Sequence, residues 1–260
     1  MLPVMQLIDT HCHIHESTFP LDQNETLTRA HAANIEKMIC IGTSEQSSRE
    51  AVVFAGKHEA VFASIGVHPH DTKDGYKALE QQLADMSPGE RASVVAVGEI
   101  GLDYFYTHSP REMQIQALEW QIDLALRHNL PIVFHVREAF SDFWPIYDNF
   151  SGIRGELHSF TDTAMQLEEG LKRGLLIGVN GISTFTKNEE QQKMFAAIPT
   201  DKLLLETDAP FLTPIPFRGK VNEPAFVRNV AEHHARIRGV TLEDIATATT
   251  ANADALFALN

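Results

Sequence analysis

Six side chains of the types that bind divalent metals stand at or just beyond the ends of short apolar runs. His11 and His13 lie in Asp-Thr-His-Cys-His, and Glu99 follows Val-Val-Ala-Val-Gly. His135 closes Leu-Pro-Ile-Val-Phe-His, His158 closes Gly-Glu-Leu-His, and Asp208 closes Leu-Leu-Leu-Glu-Thr-Asp. Residues two apart on a strand point to the same face, so the imidazoles of His11 and His13 can reach one ion. Glu99 has two oxygens with which to bridge two ions. Asp208 can ligate, accept a proton from the attacking water, or both. Imidazole mixed with carboxylate suits zinc, manganese, nickel or iron, and suits magnesium less because magnesium prefers oxygen. The set is large enough for two divalent cations per subunit with open positions. Two ions about 3.5–4 Å apart clamp the attacking and leaving oxygens of a phosphate ester. Each residue alone also has a plainer reading, as a polar strand exit, a satisfied core histidine or a loop acid. Their recurrence at five strand ends is what argues for a metal site.

Around these six stand residues with open roles. His68, in Gly66-Val-His-Pro-His70, is either a proton donor or substrate contact in a rim loop, or structural. Asp9 shares the face of His11 and His13, and either orients a ligand histidine or accepts backbone donors. Glu206 lies deeper than Asp208 and reads as a support or part of a polar layer. Cys12 should face away, as a small inert core residue. Arg137, Arg218 and Lys220 are candidate phosphate holders, because arginine grips phosphate bidentately and lysine as a point charge. Asn222 completes the candidate substrate contacts on the segment after the last strand, and Asn180 and Ser183 offer neutral donors. Phe105, Tyr106, Phe160, Phe185 and Phe211 either stack on bases or anchor loops. His31, His58, His128, His233 and His234 sit on or beside expected helices and read as solvated.

Eight apolar runs position this set: Met5–Thr10, Glu36–Gly42, Val61–Gly66, Ser93–Gly98, Leu130–His135, Gly155–His158, Leu175–Val179 and Leu203–Thr207. Their length and their Val and Ile content suit buried strands. Helical spacing is clearest over Pro110–His128. It is weaker over Leu79–Met86, Ala139–Phe150, Thr163–Arg173 and Asn188–Ala196, and two helices, Ala225–Arg238 and Leu242–Leu259, close the chain. Gly174 and Gly239 fall where helix ends favour glycine. Eight βα units in about 250 residues predict an α/β chain folded as a (β/α)8 TIM barrel in one domain, residues 1–260. The competing open, doubly wound sheet lacks its GxGxxG phosphate fingerprint. In a barrel, strand ends and the loops after them converge on one rim.

Composition bounds the function. The formal charge is −14, with 35 acidic and 21 basic residues, which argues against a sequence-independent DNA coat or a membrane-surface protein. Two cysteines build no disulfide framework and read as reduced thiols of a cytoplasmic protein. No basic leader or long apolar run is present, so neither secretion nor a membrane partner is expected, and no obligate protein partner is evident.

In order along the chain, Asp9-Thr-His-Cys-His13, Gly66-Val-His-Pro-His70, Gly98-Glu-Ile-Gly-Leu-Asp-Tyr104, Pro131-Ile-Val-Phe-His-Val-Arg137, His158-Ser-Phe-Thr161, Glu206-Thr-Asp-Ala-Pro210 and Arg218-Gly-Lys-Val-Asn-Glu-Pro224 resemble the TatD family of metal-dependent deoxyribonucleases. The resemblance implies an amidohydrolase-type TIM barrel with up to two divalent ions, and His11, His13, Glu99, His135, His158 and Asp208 match the family's metal positions. Glu99 stands where many amidohydrolases carry a carbamylated lysine. It also implies hydrolysis of DNA phosphodiesters at ends or in single strands by a metal-activated water. On this expectation His11, His13 and Asp208 hold one ion, His135 and His158 the other, and Glu99 bridges them. Asp208 is the base, and Glu99 and His68 are the other catalytic candidates. The alternatives are a small-molecule amidohydrolase, lactonase or phosphotriesterase with the same metals, and a non-catalytic metal-binding scaffold.

Overall fold

The computed structural model describes residues 5–259. Its strands are β1 (Leu7–Cys12), β2 (Ile35–Ile41), β3 (Val61–Ile65), β4 (Val94–Asp103), β5 (Ile132–Arg137), β6 (Gly155–Leu157), β7 (Leu176–Val179) and β8 (Leu203–Leu205). They stand in chain order in one eight-stranded sheet. A parallel bridge between Cys12 and Ala209 joins the end of β1 to the segment leaving β8. The fold is the expected (β/α)8 barrel. All eight apolar runs become strands, because a Val/Ile-rich segment buried on both faces has no polar face to offer water.

By internal contacts the chain forms two compact units: residues up to Ile39 together with those from Ser159 onward, and Cys40–His158. In the first, helices start at side-chain caps. Asp22 accepts from the Glu25 N–H, and Thr241 and Asp244 cap each other's backbone. Gly239, in the left-handed conformation at φ 67°, ends Val227–Arg238. In the second unit the helix Arg111–Arg127 lays two glutamines, two turns apart, against the ends of strands. Gln114 takes the Asp103 N–H and returns its amide to the Asp103 carbonyl. Gln121 does the same to Val67. Each glutamine thus finishes a backbone that has run out of strand partners.

β4 is the longest departure from expectation. The apolar run ends at Gly98, yet the strand continues to Asp103. Its register with β5 slips between Val97 and Ile100, then resumes with Gly101 opposite His135 and Asp103 opposite Arg137. Such a bulge re-aims a side chain, and here the re-aimed residue is Glu99. Gly101 has φ 155°, and a Cβ there would overlap the His135 carbonyl oxygen. Only glycine lets β4 and β5 approach this closely past the slip.

His234 corrects the solvated reading: it is fully buried. Its Nδ1 accepts from the Arg238 guanidinium at 2.6 Å, and its Nε2 lies 3.0 Å from the Ser183 hydroxyl, which itself donates to the Asn180 carbonyl. The ring is therefore neutral with its proton on Nε2. Burial, and then Arg238 and His233, hold its pKa well below 6.5. A pKa lowered on folding contributes stability that is full above 6.5 and lost as pH falls below it. We predict that the wild type loses stability between pH 6.5 and 5. In H234Q that slope should shrink by about one proton. Urea titrations across pH 5–8 measure it, and equal slopes would refute the assignment.

Candidate metal centre

In the first unit, three predicted ligands meet. Nε2 of His11 and Nε2 of His13 are 3.2 Å apart, and Oδ1 of Asp208 lies 3.2 Å from His13 and 3.5 Å from His11. Ligands at about 2.0–2.2 Å from a tetrahedral cation are separated by roughly 3.3 Å, so this near-equilateral triangle has the dimensions of one face of a coordination shell. One proton satisfies at most one edge of such a triangle, whereas a cation satisfies all three corners. The donor set fits a divalent ion.

The backbone beneath the triangle is tied at each corner. The Asp208 N–H donates to the His11 carbonyl and the His13 N–H to the Ala209 carbonyl, both at 2.8 Å. Asp9 accepts from the Thr207 N–H and hydroxyl at 2.8 and 2.6 Å and from the His11 N–H at 3.3 Å. Of its two expected roles, Asp9 therefore takes the backbone-accepting one, locking β1 to the chain beyond β8. Asp208 is left-handed at φ 59°. That conformation costs a non-glycine residue energy and is held by these surrounding bonds. Glu206 is buried and accepts from the Ser159 N–H and the Asn180 amide. Cys12 is buried, as expected.

In the second unit, Glu99 gathers three imidazoles. Its Oε1 is 2.7 Å from Nδ1 of His135, 3.2 Å from Nε2 of His158 and 3.4 Å from Nε2 of His68. His68, Glu99 and His135 have ligand atoms close enough to share a cation. His68 thus stands among the ligand types, beyond the proton-transfer or substrate role read from sequence. Its Nδ1 accepts from the His70 N–H, leaving the proton on the nitrogen that faces Glu99. Burial pushes its pKa down to about 4 despite the neighbouring Glu99.

Asp103 is the residue that sequence reasoning passed over. Its Oδ2 is 3.1 Å from Nε2 of His135 and 3.0 Å from Nε2 of His70. Its Oδ1 accepts from the Phe105 and Tyr106 N–H groups at 2.9 and 3.1 Å. Burial alone raises a carboxyl, but the His135 contact and the Tyr106 N–H reverse this and hold Asp103 below the ordinary range. His135 moves up, because Asp103 and Glu99 outweigh its burial. With Asp103 fixing Nε2, Nδ1 of His135 is left for the Glu99 side, the carboxylate–histidine arrangement that orients metal ligands. A signal existed: Asp103 lies four residues after Glu99 in the quoted motif, on the same strand face. Reading β4 as ending at Gly98 hid it.

Of the expected substrate contacts, the three cations lie over aromatic rings and the asparagine is tied into the loop after β8. Arg137 is exposed and lies 3.9 Å over the Phe105 ring. Arg218 donates to the Thr213 carbonyl and lies 3.8 Å over Phe185, and the Lys220 ammonium is 5.3 Å from the Phe217 ring. Asn222 is fully buried, its amide donating to the Thr207 and Phe211 carbonyls and its oxygen accepting from the Glu223 N–H. Every polar atom of its side chain is used in holding the loop after β8.

Residues 8–258 match the sequence model of the family described as TatD related DNase. A metal-dependent hydrolase of Bacillus subtilis, YabD, is 37% identical over 256 residues, covering 98% of this chain and 100% of its own. The 3'-5' ssDNA/RNA exonuclease TatD of Erwinia amylovora is 34% identical over 261 residues, covering 97% of this chain and 100% of its own. Among solved structures, the TatD homolog YJJV of Escherichia coli K12 superposes with a TM-score of 0.89 at 30% identity, covering 98% of both chains.

Asp103 generates the prediction here. D103N removes the charge but keeps the shape, and is expected to weaken divalent-metal affinity about 10–100-fold while the protein remains folded. Competition against a chromogenic chelator measures it, and unchanged affinity would remove Asp103 from the ligand-orienting role.

Proposed function

Because the chain belongs to the TatD-related DNase family of metal-dependent hydrolases, we propose that it is a two-metal exonuclease trimming single-stranded DNA from its 3′ end. The observation that carries this reading is the triangle of His11, His13 and Asp208, with edges of 3.2, 3.2 and 3.5 Å, which matches a coordination face. We take these three residues to hold one cation, and Glu99 with His135 and His158 to hold the second. Glu99 would offer both of its carboxylate oxygens as ligands. On this reading the whole chain is one catalytic domain.

When bound, the two cations supply Lewis acidity and make water a nucleophile at neutral pH. Asp208 would accept the proton of the attacking water, since its carboxylate forms one corner of the ligand triangle and is partly open to solvent. His68 offers an N–H in the direction of Glu99 and stabilises charge there. Arg137, Arg218 and Lys220 present cations to the substrate's phosphates. Asn222 shapes the loop that carries Arg218 and Lys220. No helix among the described residues is long and apolar enough to cross a membrane. With two buried free cysteines, this agrees with a cytoplasmic setting.

The test is metal analysis of the purified protein, then a nuclease assay on labelled single-stranded DNA with each of zinc, manganese, nickel, iron and magnesium restored after chelation. The expected result is stepwise 3′ shortening that needs the metal. E99A is expected to abolish cleavage while circular dichroism shows an intact fold. Full activity in E99A sinks the mechanism. Turnover of amides or lactones with none of DNA would move the chain to the small-molecule hydrolases.

A further inference from the structure

Beyond Asp103 the chain turns outward and places two adjacent aromatic rings at the surface. Phe105 is 49% exposed and Tyr106 43%. An aromatic pair buried for anchoring alone would be covered, since each ring loses the benefit of the area it leaves in water. These rings are nonetheless rigidly placed. Both of their N–H groups are held by Oδ1 of Asp103, and Tyr104 donates its N–H to the Arg137 carbonyl at 3.0 Å. The rings meet edge to face, centroids 4.7 Å apart at 86°, and form a step. Tyr106 is backed by His108, stacked at 5.3 Å and 27°, and by the edge of His70 at 5.4 Å.

Arg137 completes the group. It stands opposite Asp103 in the β4–β5 register, and its guanidinium lies 3.9 Å over Phe105 and 5.2 Å from Tyr106. No carboxylate among the described residues pairs with it. A guanidinium over a ring with no carboxylate partner has N–H donors left for a phosphate, while an aromatic face beside it takes a base. The step is also continuous with the catalytic machinery. The carboxylate that holds its backbone is the one that touches His135, at 3.1 Å.

Resting on the exonuclease reading above, we propose that Phe105, Tyr106 and Arg137 form the subsite for one nucleotide of the single strand. The base stacks in the corner of the two rings and the adjoining phosphate meets Arg137. Every base has a flat face, so the subsite takes all four and rejects a base-paired one, whose face is already stacked. It makes an unpaired base, and not a phosphodiester alone, part of what the enzyme recognises.

The experiment compares wild type with F105A/Y106A on two single-stranded DNA oligonucleotides, one normal and one carrying abasic residues at its two 3′-terminal positions. The expected result is a KM for normal DNA about 5- to 100-fold higher in the variant, with kcat little changed. Abasic substitution should penalise the wild type to the same degree and add little in the variant. A second variant, F105L/Y106L, keeps apolar bulk but removes the π faces, and is expected to share the defect, whereas loop anchoring alone predicts rescue. R137Q is expected to raise KM on both oligonucleotides. An unchanged KM in F105A/Y106A, rescue by leucine, or an abasic penalty as large in the variant as in the wild type overturns the subsite and leaves the exonuclease reading standing. A wild type that degrades no DNA with any metal overturns both.

Discussion

The constraint on which the structure turns is the crowding of ligand atoms. His11, His13 and Asp208 hold two imidazole nitrogens and a carboxylate oxygen within 3.5 Å of one another, with both histidines buried. Lone pairs do not collect at that spacing unaided. Water would separate them, and burial makes their crowding more costly. The arrangement therefore needs a backbone stiff enough to impose it, and the chain supplies one at the junction of β1 with the segment after β8. Asp9 fastens Thr207, His11 accepts from Asp208, and Ala209 accepts from His13. The sheet's closure and the ligand geometry are the same set of bonds.

The second cluster obeys the same rule with different parts. Three imidazoles converge on one oxygen of Glu99, and the slip in β4 is what aims that carboxylate. The strand then has to resume pairing with β5. It does so through a glycine, because His135's carbonyl fills the space a side chain would take. Asp103, at the far end of the resumed strand, restrains His135 from the opposite side. Hence a local irregularity and the regular strand that follows both shape this cluster: one aims Glu99, and the other holds His135 still.

How much of this was legible follows from the signals available. The strands were readable because burial on both faces leaves runs such as Leu-Pro-Ile-Val-Phe unbroken by polar residues. The six clustered side chains were readable because each stands at or just beyond the end of such a run. The end of β4 was not, because Gly98 looks like a stop when only periodicity is consulted, so Asp103 was missed. The helices Gln23–Ala32 and Glu45–Ala55 escaped notice because short polar segments carry little hydrophobic periodicity. Their starts are set by the side-chain caps of Asp22 and Ser44, signals that count only once a helix is suspected. Residue type misled at His234 and Asn222. A histidine in a polar helix suggests solvent and an asparagine beside arginine suggests ligand, yet the interior satisfies every polar atom of both with neighbouring groups. A polar side chain's role follows from whether its partners lie inside the protein, and composition alone is silent on that.

The charge of the chain bears on the same point. Fourteen excess negative charges repel a polyanion at a distance, and two divalent ions would offset only four of them. Long-range attraction therefore does not gather nucleic acid onto this surface. Whatever binds must be held by contacts within a few ångströms, where cations and aromatic faces act and screening is weak. A duplex presents its phosphates on a broad convex face and its bases already stacked, so such short-range contacts reach little of it. A strand end offers an isolated phosphate to a recessed cluster and an unpaired base to an exposed ring. On the exonuclease reading, the acidic exterior is then a filter: it removes non-specific association and leaves selection to groups that touch the strand directly.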